Sequence, residues 1–285
     1  MKDRSMYVFI DLDEKTHYVG QLWSHWHKRR SSASFQYDPT WLKNPLRFAL
    51  EPPLTLSEQT IHTHPDQALF GAIEGSAPDR WGRILMRRAQ EREARKAKVP
   101  PRTLSEVDYL LGVNDEARQG ALRFAESLNG PFLQPSTAFS IPPLINLPKL
   151  LSATEKLLKD KESEEDLRLL LAPGSSLGGA RPKASVKDKG GHLAIAKFPR
   201  EDDEFSTVLW EAVALTLAAK ASIPTPEWRL ETITKKSVLI IRRFDREGPK
   251  RIPFLSAMSM LGARDNESHI CSHQTTYFNN QHHPR

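Results

Sequence analysis

The stretch GSSLGGARPKASVKDKGGHLAIAKFP, residues 174–199, predicts a loop followed by two strands that a tight turn joins. The Gly-Gly pair at 190–191 marks the turn, because glycine readily adopts the positive φ angles that short hairpin turns need. In the second strand Leu193, Ile195 and Lys197 share one face, since side chains alternate along a strand. An ammonium group therefore projects from an otherwise apolar strand face.

The loop before this hairpin predicts the class of ligand. A lysine on an apolar face is costly unless it meets negative charge. Three glycines and two serines in the loop leave backbone amides open to an anion, although such a loop alone more often marks a structural turn. The loop lacks the GK[ST] signature of a P-loop, and Lys197 lies on a later strand, as in protein kinases. Loop, hairpin and lysine together predict a nucleoside triphosphate site.

A helix and a strand follow. Apolar residues recur at helical spacing over 205–217, which predicts an amphipathic helix that Pro224 closes. In a kinase, the helix after the lysine strand supplies a carboxylate that pairs with the lysine. Glu211 is the best-placed candidate, and an exposed helix glutamate is an equal alternative. The apolar strand at 238–241 then runs into the charged segment 242–245, where backbone groups could meet an adenine edge.

The residues N-terminal to the stretch 174–199 predict a smaller, β-rich unit. MYVFIDLDEKTHYVGQLW, residues 6–23, alternates apolar and polar side chains and breaks at Lys15 and Thr16, which is typical of a β-hairpin. Further short elements are expected at 34–37 and 47–50 as extended segments, and at 121–124 as a strand or a helix end.

Helices are predicted on both sides of a proline-rich traverse at 130–148. Ser76 and Ser105 are the expected N-caps of the two helices before it. Asp79 and Arg80 cap and staple the first of these in one interpretation, and hold the β-rich unit onto the later lobe in another. Two more helices are expected after the traverse, at 147–158 and 164–171.

Composition limits the function. The 285-residue chain has a net charge of +6 and a pI of about 9.4, which modestly favours polyanionic partners. The basic stretch 87–102 interleaves glutamates and lacks aromatic residues, so a solvated helix face is favoured over a nucleic-acid patch. The single cysteine, Cys271, excludes an internal disulfide and a multi-thiolate zinc site. We find no membrane-span or secretory pattern and expect a cytoplasmic protein.

Histidines near acidic residues offer a weak metal pattern. His62, His64 and Asp66 lie close together, as do His25 with His27. Alternating polar residues of this kind more often mark an exposed strand edge or a loop. No metal site is predicted.

Blocks along nearly the entire chain, to about His269, resemble the HipA family of serine/threonine kinase toxins. They stand in the family's order: SAPDRWGR (76–83), LSEVDYLLGV with RQGALRF (104–124), SSLGGARPK (175–183), AIAKFP (194–199), and RRFDR with IPFLSAMSMLGA (242–263). The resemblance implies an ATP-dependent protein kinase that is the toxin of a toxin–antitoxin pair. It also implies a HipB-like DNA-binding antitoxin, indirect contact with DNA through it, and a translation factor such as glutamyl-tRNA synthetase as a substrate class.

The resemblance also assigns residues. Ser176 matches the loop serine that such kinases phosphorylate on themselves, Lys197 the ATP-binding lysine, and 242–244 the adenine-contacting strand exit. The expected nucleotide-binding set is Ser175, Ser176, Gly178, Gly179, Lys183, Lys197, Glu211, Arg242 and Phe244. ATP is the expected cofactor, with Mg²⁺ only in a complete kinase.

The family's H-x-D-x-x-x-x-N catalytic loop and later metal-binding aspartate should follow, but residues 245–285 contain neither. We therefore assign no catalytic and no metal residue. We expect a chain truncated before these residues that is inactive in phosphoryl transfer. The alternative is a non-enzymatic partner of an antitoxin, of an intact kinase or of a separate C-terminal lobe.

The expected fold is α+β. A small N-terminal β-rich subdomain with helices should span 1–130, a kinase-like N-lobe should span 147–269, and an irregular tail, either out of frame or an unselected extension, should span 270–285. The C-terminal helical lobe should be missing. In its absence, residues 252–262 are expected to expose an apolar patch.

Overall fold

The computed structural model describes residues 3–27, 30–65, 67–133, 141, 144–171 and 179–263. They form a mixed α/β fold with antiparallel sheets. The strands of the first sheet are β1 Arg4–Leu12, β2 Lys15–His27, β3 Arg30–Tyr37, β4 Ile61–His62 and β5 Leu122–Ala125, in the spatial order β4-β3-β2-β1-β5. The helices of this part of the chain are α1 Pro39–Leu42, α2 Gly71–Glu74, α3 Arg80–Lys96 and α4 Glu106–Leu111.

Strands β1 and β2 form the hairpin expected at 6–23, but the turn lies earlier than predicted. Asp13 and Glu14 form it, not Lys15 and Thr16, and their φ angles are 49° and 61°. Positive φ at both central residues matches the twist of the flanking strands. The backbone conformation of the turn, rather than the break in alternation, therefore sets the register.

One face of the first sheet is buried beneath α1, α2 and α4. The extended segment expected at 47–50 is wrong as a strand. Instead the Leu50 amide donates to the Tyr37 hydroxyl (3.0 Å), which donates to the Leu54 carbonyl (2.9 Å). A buried tyrosine thus orders the loop after α1. The segment at 121–124, left open between strand and helix end, is strand β5.

The second half of the chain forms a separate antiparallel sheet with helices on both faces. Its elements are α5 Leu147–Leu158, α6 Glu164–Leu171, β6 Lys183–Lys187, β7 Leu193–Lys197, α7 Thr207–Lys220, β8 Trp228–Ile233 and β9 Lys236–Arg242, with strand order β6-β7-β9-β8. Short elements follow at β10 Arg246–Glu247, β11 Lys250–Arg251 and α8 Ala257–Met260. The helices predicted at 147–158 and 164–171 are confirmed.

Helices α3, α5 and α6 cover one face of the second sheet. Trp81 and Leu85 of α3 join this core, although α3 precedes the sheet by nearly a hundred residues. Asp79, not Ser76, is the N-cap of α3, and its carboxylate accepts from the Gly82 amide at 2.7 Å. Ser105 caps α4 as predicted. Helix α3 therefore ties the first part of the chain to the second sheet.

Helix α7 lies on the opposite face. Val208 and Ala212, one turn apart, pack against Leu239 and Ile241 of β9. The helix predicted at 205–217 is thus present, but the apolar pattern does not form a single buried stripe. Other large apolar side chains of this segment are exposed: Phe205, Leu209, Trp210, Val213 and Leu217.

No helix within the described residues combines the length and apolar composition needed to cross a membrane.

Candidate functional site

Lys197, the last residue of the inner strand β7, and Glu211 of α7 form an ion pair on the second sheet. Val208 and Ala212 pack α7 onto β9, and Glu211 lies one helical turn after Val208, on the side of α7 that faces the sheet. The side chains of Lys197 and Glu211 are 28% and 37% exposed. The structure therefore brings together the lysine and the carboxylate, and it leaves both open to a ligand.

Lys183 lies opposite Lys197 in the β6–β7 register and is held differently. Its ammonium donates to an Asp79 carboxylate oxygen at 2.6 Å and to the Gly179 carbonyl at 3.0 Å. The two ionised side chains are only 3% and 5% exposed. Burial lowers the pKa of Lys183 and raises the pKa of Asp79, and each charge opposes the shift of the other.

The backbone near Lys183 is fixed as well. The Trp81 indole N–H donates to the Lys183 carbonyl at 2.9 Å. Gly179 has a φ of +106°, a conformation that L side chains rarely adopt. Ser175, Ser176 and Gly178, the remaining loop residues of the predicted set, lie outside the described residues.

The strand exit at the end of β9 presents two of the predicted residues to solvent. The Arg242 guanidinium pairs with Glu227 at 2.9 Å. The Phe244 ring is 60% exposed and lies 5.6 Å from the Phe254 ring, centroid to centroid. The Arg242 and Arg243 amides already donate within the sheet, to the Glu227 and Leu193 carbonyls. An adenine at this exit would therefore meet an aromatic side chain rather than these two amides.

Sequence reasoning missed the function of the other residues in the same segment. Arg243, Asp245 and Arg246 are buried. The Arg243 guanidinium donates to the Ala117 carbonyl at 2.7 Å, and the Arg246 guanidinium to the Gly120 carbonyl at 2.9 Å. These residues attach the second sheet to the loop before β5. The dense charge of RRFDR was the only available signal, and it does not identify a partner so far away in sequence.

Several basic side chains of the stretch 87–102 form ion pairs with acidic neighbours. Arg88, Arg92 and Lys96 of α3 form ion pairs with Asp160, Glu162 and Glu164, which lie between α5 and α6 and at the start of α6. Arg102 pairs with Asp108. These pairs argue against a nucleic-acid patch, and the stretch instead packs helices together.

The histidines do not form a metal cluster in the described part of the chain, which excludes Asp66. His25 and His62 instead share the buried Ser34 hydroxyl, at 2.7 and 2.8 Å. The three side chains lie on neighbouring strands β2, β3 and β4, so their hydrogen bonds reinforce the edge of the first sheet.

Comparisons with known proteins agree with this architecture. A HipA N-terminal domain model matches residues 11–123, and a HipA-like C-terminal domain model matches residues 175–280. No curated protein matches the chain. A solved chain from the toxin–antitoxin complex of HipA, HipB and operator DNA of Shewanella oneidensis MR-1 has a TM-score of 0.50 and 13% identity, over 90% of this chain and 56% of that chain.

This chain thus spans little more than half of the length of that solved relative, whose likeness shows the fold. The two models describe the N-terminal and the C-terminal domain of HipA proteins. They match this chain in that order, the first over the first sheet and the second over the second sheet. On this ground the chain belongs to the HipA family.

Proposed function

We propose that this chain is a HipA-type toxin kinase polypeptide that binds ATP on the second sheet. The observation that supports the proposal is the Lys197–Glu211 pair, which joins a strand lysine to a carboxylate on the following helix. Protein kinases use this pairing to direct a lysine at nucleotide phosphates. Glu211 occupies one donor of the Lys197 ammonium, and the other N–H groups can meet phosphate oxygens.

The other residues of the predicted set fit an ATP ligand in different ways. Gly179 and Lys183 lie at the end of the glycine- and serine-rich loop, beside Lys197. Phe244 offers an exposed aromatic ring, and Arg242 a cation, at the strand exit. We propose that Ser175, Ser176 and Gly178 complete the phosphate-binding loop, with Ser176 as the site of autophosphorylation in a complete kinase.

We further propose that this 285-residue polypeptide does not transfer phosphate by itself. Phosphoryl transfer requires a carboxylate that orients the nucleophile and groups that hold Mg²⁺. The sequence contains no H-x-D-x-x-x-x-N motif. Mg²⁺ and a protein substrate, such as a translation factor of the glutamyl-tRNA synthetase class, belong in this proposal to a complete kinase.

The proposed partner is a HipB-like antitoxin in the cytoplasm, with DNA bound through that antitoxin. The support is the solved relative, which is described as a complex of HipA, HipB and operator DNA. The pairing of Arg88 and Lys96 of α3 with carboxylates agrees with an indirect contact, since these two cations already have acidic partners within the chain.

A second candidate function is a non-enzymatic one, in which the chain binds an antitoxin, an intact kinase or a separate C-terminal lobe. Exposed apolar side chains on α7 and near α8 favour it, including Trp210, Leu217 and Leu261. Large exposed apolar patches commonly mark protein interfaces. A stable complex with a purified antitoxin, formed equally well by a variant that cannot bind ATP, would support this function.

Calorimetric titration with ATP tests the first proposal. We expect the Lys197→Met variant to bind ATP at least about tenfold more weakly, because a charged hydrogen bond contributes about 1.5–3 kcal/mol. Lys220→Met, an exposed lysine at the end of α7, is the matched control. Equal affinity of wild type and Lys197→Met, or no binding by the wild type, would contradict the proposal. Intact mass spectrometry after incubation with ATP and Mg²⁺ should show no added phosphate.

A further inference from the structure

The buried pair of Asp79 and Lys183 joins distant parts of the chain at the candidate nucleotide site. Asp79 is the N-cap of α3, and Lys183 is the first residue of β6. Their side chains are almost fully buried and lie 2.6 Å apart. Ionised side chains are seldom buried in this way unless each satisfies the other, because removing a charge from water is costly.

The Lys183 ammonium also holds the end of the glycine-rich loop. Its second hydrogen bond goes to the carbonyl of Gly179, at 3.0 Å. A Cβ at Gly179 would meet the Lys183 Nζ at 3.5 Å, so the backbone and the ammonium are in close contact. The Lys183 ammonium therefore links the Asp79 carboxylate to the backbone at the end of the loop.

The contacts that join Asp79, Lys183 and Gly179 lie next to the candidate nucleotide site. Lys183 and Lys197 are directly opposite each other on β6 and β7. The charges of Lys197 and Glu211 both affect the pKa of Lys183, in opposite directions. The loop end that Asp79 holds thus lies beside the Lys197–Glu211 pair.

We propose that Asp79 is a positioning residue for the nucleotide site: it holds the Lys183 ammonium in place, and through Lys183 it fixes the end of the phosphate-binding loop, at Gly179, beside Lys197. The inference rests on the proposed function. Asp79 does not touch the nucleotide, because its carboxylate would repel phosphates, and Lys183 lies between it and the loop. Helix α3, from the first part of the chain, in this way takes part in binding on the second sheet.

The test is the Asp79→Asn variant of the full chain. Asparagine keeps the size and can still accept from the Gly82 amide as an N-cap, but it removes the charge that faces Lys183. We expect the affinity for ATP to fall about tenfold or more, and amide hydrogen exchange in residues 179–187 to accelerate without nucleotide. Asp108→Asn is the matched control, since Asp108 also lies at a helix N-terminus and pairs with an arginine.

A double variant separates positioning from stability. Asp79→Asn with Lys183→Met removes both charges of this buried pair, so the melting temperature should recover relative to Asp79→Asn, while ATP affinity and slow exchange should not recover. Restoration of ATP affinity together with the melting temperature would overturn the inference, because the role would then be purely structural.

The readouts also distinguish the inference from the proposed function. Absence of ATP binding by the wild type would contradict the proposed function. Unchanged exchange of residues 179–187 in Asp79→Asn would contradict the inference, whatever the nucleotide result. Faster exchange there together with weaker ATP binding, and neither in Asp108→Asn, is the outcome expected.

Discussion

Arg243 and Asp245 form a buried two-point ion pair just after β9, with Nε–Oδ1 and Nη2–Oδ2 distances of 2.8 and 2.5 Å. Asp245 also accepts from the Gly120 amide at 2.8 Å. Because the Arg243 guanidinium binds carbonyls of the same loop, the pair attaches the second sheet to the first.

We expect Asp245→Asn to destabilise the fold by about 3–5 kcal/mol, because it leaves Arg243 and Arg246 buried without their shared counter-charge. Urea denaturation followed by circular dichroism measures the change. Asp202→Asn is the control, since Asp202 pairs with Arg200 at the surface, where water and salt screen the attraction. Equal losses of unfolding free energy in the two variants would show that the buried pair stabilises the fold no more than the surface pair does.

The same carboxylate predicts how stability depends on acid. Burial by itself raises the pKa of Asp245, but hydrogen bonds from Arg243 and the charges of Arg243 and Arg246 hold the pKa below its usual value. A lowered pKa in the folded state means that the stabilisation is complete above the unfolded pKa of about 3.9 and is lost as pH falls through the folded pKa. Urea midpoints should therefore differ by a constant amount from neutral pH down to about pH 4 and, below that, should fall less steeply for Asp245→Asn than for wild type. Parallel curves for the two proteins would refute this assignment.

Glu211→Gln should separate nucleotide binding from stability. The Lys197–Glu211 pair is partly exposed, so its loss should change the free energy of unfolding by no more than about 1 kcal/mol. Loss of the carboxylate that aims Lys197 should nevertheless weaken ATP binding, by about tenfold in titration calorimetry. Glu231→Gln, which removes a partner of Arg229 on β8, is the control. ATP affinity that survives in Glu211→Gln would count against the kinase-like arrangement.

Exposed apolar residues near α8 predict self-association. The patch expected at 252–262 is present in part: Met258, Met260 and Leu261 are exposed, whereas Leu255 packs against the core of the first sheet. Light scattering should show a molar mass that rises with protein concentration, and Met258→Ser with Leu261→Ser should reduce the rise. A monodisperse monomer at all concentrations would contradict the expectation.

Local elements were largely predictable from sequence, because their signals are short-range. The Gly-Gly turn at 190–191 and the helices at 147–158 and 164–171 follow from turn chemistry and apolar periodicity. The sequence offers both Ser76 and Asp79 as capping residues of α3, because serine and aspartate are equally good N-caps; Ser76 is wrong as the N-cap, and Asp79 is confirmed.

The assembly of the site was less predictable, because its contacts are long-range. Whether Glu211 faces Lys197 depends on how Val208 and Ala212 seat α7 on β9, and periodicity gave no single buried face for that helix. Asp79 and Lys183 are 104 positions apart, and Arg243 lies 126 positions from Ala117. No local pattern pairs such residues.

Helix α3 belongs to the N-terminal part of the sequence but packs in the core of the C-terminal sheet. A break in the chain between residues 133 and 141 would separate the polypeptide into two pieces, yet Trp81 and Leu85 would remain packed in the core of the C-terminal piece. A fragment that starts at residue 141 would lack the α3 side chains that cover one side of its core. The two pieces should therefore stay associated after proteolysis. Gain or loss of the N-terminal part during evolution would accordingly require compensating substitutions in the core of the C-terminal part.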